Sequence, residues 1–380
     1  MRIALINPIT QTVDRPKHFW SLFGRGPKIP LATDAEVNSV KLARAFVSLG
    51  HCVTLFISDA FRPLNPSPSL KGLTIRYLPT SFPFFFPPAY IPWLPSIPQE
   101  LREGSFDAVQ CWDLFQPSTF LASKSRRPLF VWEESDQLYA RWAARLLQKC
   151  HQNTFETWLR KKAKVIPRSR SAKTFLEMRG WKTEEVVPTP VDTEIFKPLP
   201  EAQEGYLLVV TRLASDKGLD FLLEVVAKLL PLWPEAKVLV VGKGPEENFL
   251  REEIKRRGWT EIVELQTGFL SHAQLNQVYN RCAMSLITTV GGIFPYAALE
   301  SLAAGKPVIS RFRRGLSDLI QDDKTGYLVD SAEEMGGKIL HLLQNSEKRR
   351  ALGVQARKRV LEYCDFKTVA GRFLEIFRRF

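Results

Sequence analysis

Short, wholly apolar runs, each followed by a loop and then a helical pattern, recur along the chain and leave few folds open. The first unit is RIALINPI, a long loop, a helical run over 34–49 closed by Gly50, and then CVTLFIS. A continuous apolar strand is buried on both faces, as in a parallel sheet, and parallel neighbours need a crossover that a helix supplies. TIRYL, DAVQCW, PLFVWEE and AKVIPRS extend the series. After the polar segment PLPEAQE the rhythm restarts. GYLLVVTR leads to helices over 219–230, 246–257 and 272–281, the strands KVLVVG, IVELQTG, AMSLIT and PVIS, and a helix starting near Pro295. The chain of 380 residues therefore reads as α/β, two doubly wound domains joined near residues 192–204.

Composition enters by exclusion. With 45% hydrophobic and 24% charged residues the chain is neither disordered nor collagen-like, and five scattered cysteines without CxxC spacing read as reduced thiols. The N-terminal apolar run is too short for a secretory signal, and no stretch of about 18 apolar residues occurs. These features predict a cytoplasmic protein that does not span a membrane. The net charge is +13, with 27 Lys and Arg against 17 Asp and Glu in residues 1–200 and 26 against 23 in 201–380. The partner drawn by that surplus is expected on the first half.

Two segments stand apart. Residues 79–98 are rich in proline and aromatic rings, which excludes a regular helix or a central strand. Such a lobe either caps the core or presents rings to an apolar acceptor or membrane. Residues 141–173 are strongly basic, with Glu156 the single acid. On a helix Trp142, Leu146, Phe155, Trp158 and Leu159 fall near one face, the pattern of a membrane-surface helix or of a core helix with a solvated side. Arg160, Lys161, Lys162, Arg168 and Arg170 are its candidate contacts to an anionic acceptor or membrane. No RRM, KH, zinc-finger or helix-turn-helix signature accompanies the charge, so nucleic acid is not expected.

Parallel sheets bind ligands beyond the carboxyl ends of their strands. There the second half carries Arg212 and Lys217, two cations five residues apart ahead of a helix start and suited to two anionic groups. Gly242-Lys243-Gly244 and Gly268-Phe269 follow the next strands. The loop Gly291-Gly292-Ile293-Phe294-Pro295-Tyr296 runs into a helix with Glu300 about one and a half turns inside. In the first half Asp113, Glu133 and Glu134 stand at strand ends, and adjacent glutamates on an extended chain face opposite ways. Histidines lack metal-site spacing, and no metal is expected.

Arg212 with Lys217-Gly218, Gly242-Lys243-Gly244, Gly268-Phe269, Phe294 through Glu300 to Gly305-Lys306-Pro307, and Asp322 through Thr325-Gly326-Tyr327 together resemble the second domain of the retaining group-one, GT4-like glycosyltransferases of the GT-B fold. The resemblance implies two Rossmann-like domains facing a cleft. An acceptor-side domain would span 1–195, a nucleotide-sugar domain 196–362, and a C-terminal helix over 363–380 would pack back on the first. It implies a hexosyltransferase using a nucleotide-sugar, UDP-glucose or a similar UDP-sugar, to extend a glycan or lipid-linked acceptor of envelope polysaccharide or glycolipid. It also implies no cofactor or metal, and peripheral contact with the anionic inner face of the membrane as an option.

Within that resemblance Arg212 and Lys217 meet the diphosphate, and the backbone from Phe294 through Pro295 to Tyr296 meets phosphate oxygens. Glu300 meets the ribose hydroxyls, and Gly268 and Phe269 meet the base. The sequence departs from the family at Gly292, where a sugar-binding glutamate usually stands, and at Glu134, where a histidine is expected. Glu134 is preferred over Glu133 as acceptor base or sugar ligand, with Asp113 the second candidate. A non-catalytic nucleotide-sugar or glycan-binding protein on the same fold is the competing reading.

Overall fold

The structure is a computed structural model that describes residues 1–10, 33–81, 83–86, 89–137, 149, 151–200, 205–268, 270–289 and 294–380. It divides into two units, Met1–Pro190 together with Phe366–Phe380, and Val191–Asp365.

The first unit contains strands β1 (Arg2–Ile6), β2 (Cys52–Ser58), β3 (Leu73–Leu78), β4 (Pro83–Phe86), β5 (Ala89–Pro92), β6 (Ala108–Trp112), β7 (Leu129–Glu133) and β8 (Ala163–Pro167). Six of them form a parallel sheet in the order β3-β2-β1-β6-β7-β8. Both faces are covered, so β1 and β7 are buried almost end to end. Ile3 and Leu5 join Phe46, Phe130 and Trp132 on one side, while Ala4 and Ile6 join Val109, Val131 and Leu121 on the other. Helix Asn38–Ser48 covers the first of these faces and ends at Gly50, whose φ of 85° lets the chain turn straight into β2. Helix Phe366–Phe377 completes the same core. Its Phe373 and Phe377 lie 6.1 Å from the ring of Phe46, and Phe373 also meets Trp132 edge-on. The proline-rich segment forms an antiparallel hairpin, β4 with β5, outside the main sheet.

The second unit repeats the plan with β9 (Tyr206–Val210), β10 (Val238–Val241), β11 (Val263–Gln266), β12 (Cys282–Ile287), β13 (Val308–Ser310) and β14 (Gly326–Leu328). Its parallel order is β11-β10-β9-β12-β13-β14. The unit begins at Val191 because residues after it are packed, not free. Phe196 is buried, the side-chain oxygens of Asn276 and Asn280 accept from Lys197 N and Leu199 N, and Arg357 donates to the carbonyls of Thr193 and Phe196. In each sheet the strand order reverses between the first and fourth strands, β1/β6 and β9/β12. The crevice at that reversal is where such sheets take ligands.

Candidate functional site

At the reversal point of the second sheet, loops from three strands are stitched together by backbone. A Cβ on Gly242 would stand 1.8 Å from Thr211 O, one on Gly244 2.1 Å from Leu213 O, and one on Gly218 2.4 Å from Thr288 O. These glycines thus admit the chain's own backbone. Gly268, at φ 135°, has open space where its side chain would be. Thr288 and Thr289 at the end of β12 donate through Oγ1 to the carbonyls of Lys217 and Asp216, each at 2.8 Å. Those two bonds fix the short turn Ser215–Lys217 against β12.

That turn gathers charge. Lys217 Nζ lies 2.8 Å and Arg212 Nη2 3.4 Å from opposite oxygens of Asp216. Partial burial would raise the Asp216 carboxyl, but the Lys217 hydrogen bond and charge, with the Arg212 charge, hold it below the usual aspartate range. Two cations converging on one anion at a strand end form a position a diphosphate can take.

Glu300 sits on helix Tyr296–Ala303, with Pro295 just ahead of the first helical residue and the Phe294 and Tyr296 rings perpendicular, 6.3 Å apart. Its Oε2 accepts a 2.8 Å hydrogen bond from the hydroxyl of Tyr279, a fully buried residue of helix His272–Arg281. Burial, then the Glu300 charge and this bond, push the Tyr279 phenol well above its ordinary range, so it stays a donor. Neither Tyr279 nor Asp216 is singled out by the sequence pattern. The available signal for Tyr279 is that a tyrosine on the core face of a helix must place its hydroxyl on some acceptor. Phe269 and Gly292 lie outside the described residues. A cavity lined by Gln321, Lys324, Lys348 and Lys358 sits at the amino end of β14, at the opposite end of the sheet from these loops.

The first sheet ends in carboxylates. Glu133 is buried, and its oxygens accept from Leu114 N at 2.6 Å and Ser135 N at 2.9 Å, so it ties the ends of β6 and β7 together. Glu134 faces the other way and accepts from Arg168 Nη1 at 2.5 Å. Arg168 follows β8 and is itself buried, its guanidinium 4.2 Å over the Trp132 ring and 3.7 Å from Asp113. Asp113 has φ 58°, a left-handed backbone held by Thr119 Oγ1 on its carbonyl. The Asp113 side chain is 40% exposed, and its partial desolvation pushes the carboxyl up to about 7; the Arg168 charge opposes this and the Glu133 and Glu134 charges add to it. The structure thus brings Asp113, Glu134 and Arg168 into one cluster and leaves Glu133 as a backbone clamp.

Residues 141–148 and 150 of the basic stretch, with Trp142 and Leu146, lie outside the described residues. In the remainder Leu159 is buried while Phe155 and Trp158 are exposed at 43% and 49%, so these three do not share a face. Trp158 and Leu159 are adjacent, about 100° apart on a helix, and Phe155 lies inside the π-type turn Gln152–Glu156. Glu156 is an anchor: buried, it pairs with Arg179 and accepts from the Trp181 indole. Arg160, Lys161 and Lys162 are exposed, Lys162 lying over the Trp158 ring and Arg160 over Trp181 while it donates to Arg179 O; Arg170, at the start of helix Arg170–Met178, is exposed as well. Lys124 lies over Phe120, whose ring meets Phe155 edge-on. Among the described residues no cluster of His, Cys, Asp and Glu is arranged to hold a metal ion, and no helix is long and apolar enough to cross a membrane.

Residues 191–359 match the family model described as glycosyl transferases group 1. Over 190 residues the chain is 27% identical to the sulfoquinovosyl transferase SQD2 of Arabidopsis thaliana, covering 46% of this chain and 36% of that protein. Over 185 residues it is 30% identical to a D-inositol 3-phosphate glycosyltransferase of Segniliparus rotundus, covering 44% and 41%. The chain thus spans well under half the length of the curated relatives it matches. Among solved structures it superposes on Anabaena Alr3699/HepE in complex with UDP, at TM-score 0.71 and 14% identity over 100% of both chains. It also superposes on a sucrose-phosphate synthase from Thermosynechococcus elongatus, at TM-score 0.71 and 17% identity over 100% of this chain and 98% of that one. At such identities the likeness shows the fold alone, and that fold is GT-B.

Proposed function

Because residues 191–359 match the family model of the group 1 glycosyl transferases, we propose that the chain moves a hexose from a UDP-sugar to a glycan or lipid-linked acceptor of envelope polysaccharide or glycolipid, with retention and without a metal ion. The observation that carries this reading is the convergence of Arg212 and Lys217 on one anionic position at the β9/β12 reversal. There the diphosphate would displace the Asp216 carboxylate, and the two cations would stabilise the charge that builds on the leaving phosphate. Glu300, steadied by Tyr279, would accept from the ribose hydroxyls. The UDP bound in the Alr3699/HepE structure supports uracil as the base.

On the acceptor side, Asp113 suits the proton better than its neighbours do. Glu133 is committed to two backbone N–H groups and Glu134 to Arg168, while the raised carboxyl of Asp113 is placed to titrate near working pH. Exposed Phe155 and Trp158 with Lys124, Lys161 and Lys162 nearby support docking on an anionic bilayer that carries the acceptor.

Purified protein given UDP- and GDP-sugars with lipid acceptors in anionic vesicles is expected to release UDP from one UDP-sugar and to sediment with the vesicles. UDP binding without release from any donor would leave the binding-protein reading in its place. Equal sedimentation of a Phe155→Ala/Trp158→Ala double variant would remove the membrane assignment.

A further inference from the structure

We propose that Tyr279 is a positioning residue for donor selection: its hydroxyl orients the Glu300 carboxylate toward the ribose and thereby sets the preference for ribonucleotide over 2′-deoxyribonucleotide donors. The proposal rests on the ribose-binding reading of Glu300 given above.

A buried phenol without a hydrogen-bond partner is costly, and the hydroxyl of Tyr279 resolves that cost on Glu300 Oε2 at 2.8 Å. The ring has no freedom to follow a moving carboxylate. It is fully buried, met edge-on by the buried Phe196 at 6.0 Å, and mounted on a helix whose start is locked by the Ser271–Gln274 capping box. Phe196 in turn is held by the His272 ring at 5.4 Å. A glutamate side chain has three rotatable bonds, and a neighbour that fixes one oxygen fixes the direction of the other. Two vicinal hydroxyls reward that orientation, because both donors can then reach the carboxylate at once. With the 2′-hydroxyl missing, the pre-set carboxylate keeps an unmet acceptor site, which is how a site built for a hydroxyl rejects its deoxy analogue. The phenol, raised well above its ordinary range by burial and by the Glu300 charge, stays a donor.

Titrations of UDP and 2′-deoxy-UDP into the full chain test this. Wild type is expected to favour UDP by about tenfold or more. Tyr279→Phe should weaken UDP by about tenfold while leaving 2′-deoxy-UDP within about twofold, so that the ratio collapses. A parallel loss for both nucleotides, or for neither, overturns the positioning role, since lost packing alone would not distinguish them. Incorporating 3-fluorotyrosine at 279 keeps ring and hydroxyl and should keep the ratio; a collapse there would assign the effect to packing and overturn the proposal. Glu300→Ala separates the two readings. If it leaves UDP affinity unchanged, the ribose assignment fails; if it weakens UDP while Tyr279→Phe leaves the ratio intact, only the proposal about Tyr279 fails.

Discussion

Beyond β9 the second domain sets two cations, Arg212 and Lys217, around one carboxylate, Asp216. Beyond β6, β7 and β8 the first domain sets Asp113 and Glu134 around one cation, Arg168. The sheets beneath are the same, six parallel strands with the same order reversal. Overall charge runs opposite to these sites, since residues 1–200 hold most of the basic surplus and residues 201–380 are nearly balanced. Net charge therefore says little about the chemistry at a strand end. In the first half part of the surplus sits on exposed side chains such as Arg160, Lys161 and Lys162, where it acts over a surface. In the second half Lys217 is only 15% exposed and acts at a point. If the difference is functional, substitutions at the two ends should separate turnover from donor binding.

Asp113→Asn carries the largest expected effect. Asparagine tolerates the left-handed backbone, so the loop should keep its shape. Loss of a general base typically costs on the order of 10²–10⁴ in kcat, and UDP affinity should stay within about twofold. In wild type the rate should fall as pH drops through about 7, where Asp113 takes up its proton; in the variant that limb should be gone. Stability gives an independent check. The folded carboxyl titrates above the ordinary aspartate value, so between those two pKa values the folded state keeps a proton that the unfolded chain sheds. Wild-type stability should therefore fall with rising pH in that window, and the melting advantage of Asp113→Asn should grow from acid pH to above 7. The 40% exposure of the side chain keeps this effect small. An advantage that does not change with pH would break the assignment of the raised carboxyl.

Lys217→Ala tests the other end and should weaken UDP. Removing a charge-assisted hydrogen bond costs roughly 1.5–3 kcal/mol, or about 10- to 100-fold in affinity. Arg212→Ala should cost less, because that side chain is 45% exposed against 15% for Lys217. If kcat at saturating donor falls in Lys217→Ala as steeply as in Asp113→Asn, the two ends do not divide the work.

Much of this contrast is legible in the sequence, because strand ends are legible. An apolar run followed by Arg212, Lys217 and Gly218 places those residues beyond β9 whatever the tertiary detail, and Glu300 follows from the helix after Pro295. What escapes the sequence is settled by groups distant along the chain. Which of Glu133 and Glu134 turns inward depends on Leu114 N, nineteen residues earlier, and on Arg168, thirty-four later. The placement of Phe155 and Trp158 depends on Phe120, edge-on to the first ring, and on Ser123, which accepts from the second, each thirty-five residues earlier. The packed stretch after Val191 depends on Asn276 and Asn280, some eighty residues on, so a polar composition there reads as a junction.

Asp216→Asn is expected to have the smallest effect and the opposite sign. Its pairs with Arg212 and Lys217 are solvent-accessible, and such pairs contribute about 0–1 kcal/mol. A diphosphate entering between the same cations must displace this carboxylate, so removing its charge should tighten UDP by about two- to threefold, less at high salt. Since the cations hold the Asp216 carboxyl below its ordinary range, it stays ionised across neutral pH and competes equally at pH 6 and 8. The gain in the variant should therefore be flat over that interval. A loss of UDP affinity would mean that Asp216 arranges the two cations for the diphosphate instead of competing with it. The second domain's end would then resemble the first, where Arg168 holds carboxylates in place, and the comparison between the two would narrow to the sign of the charge.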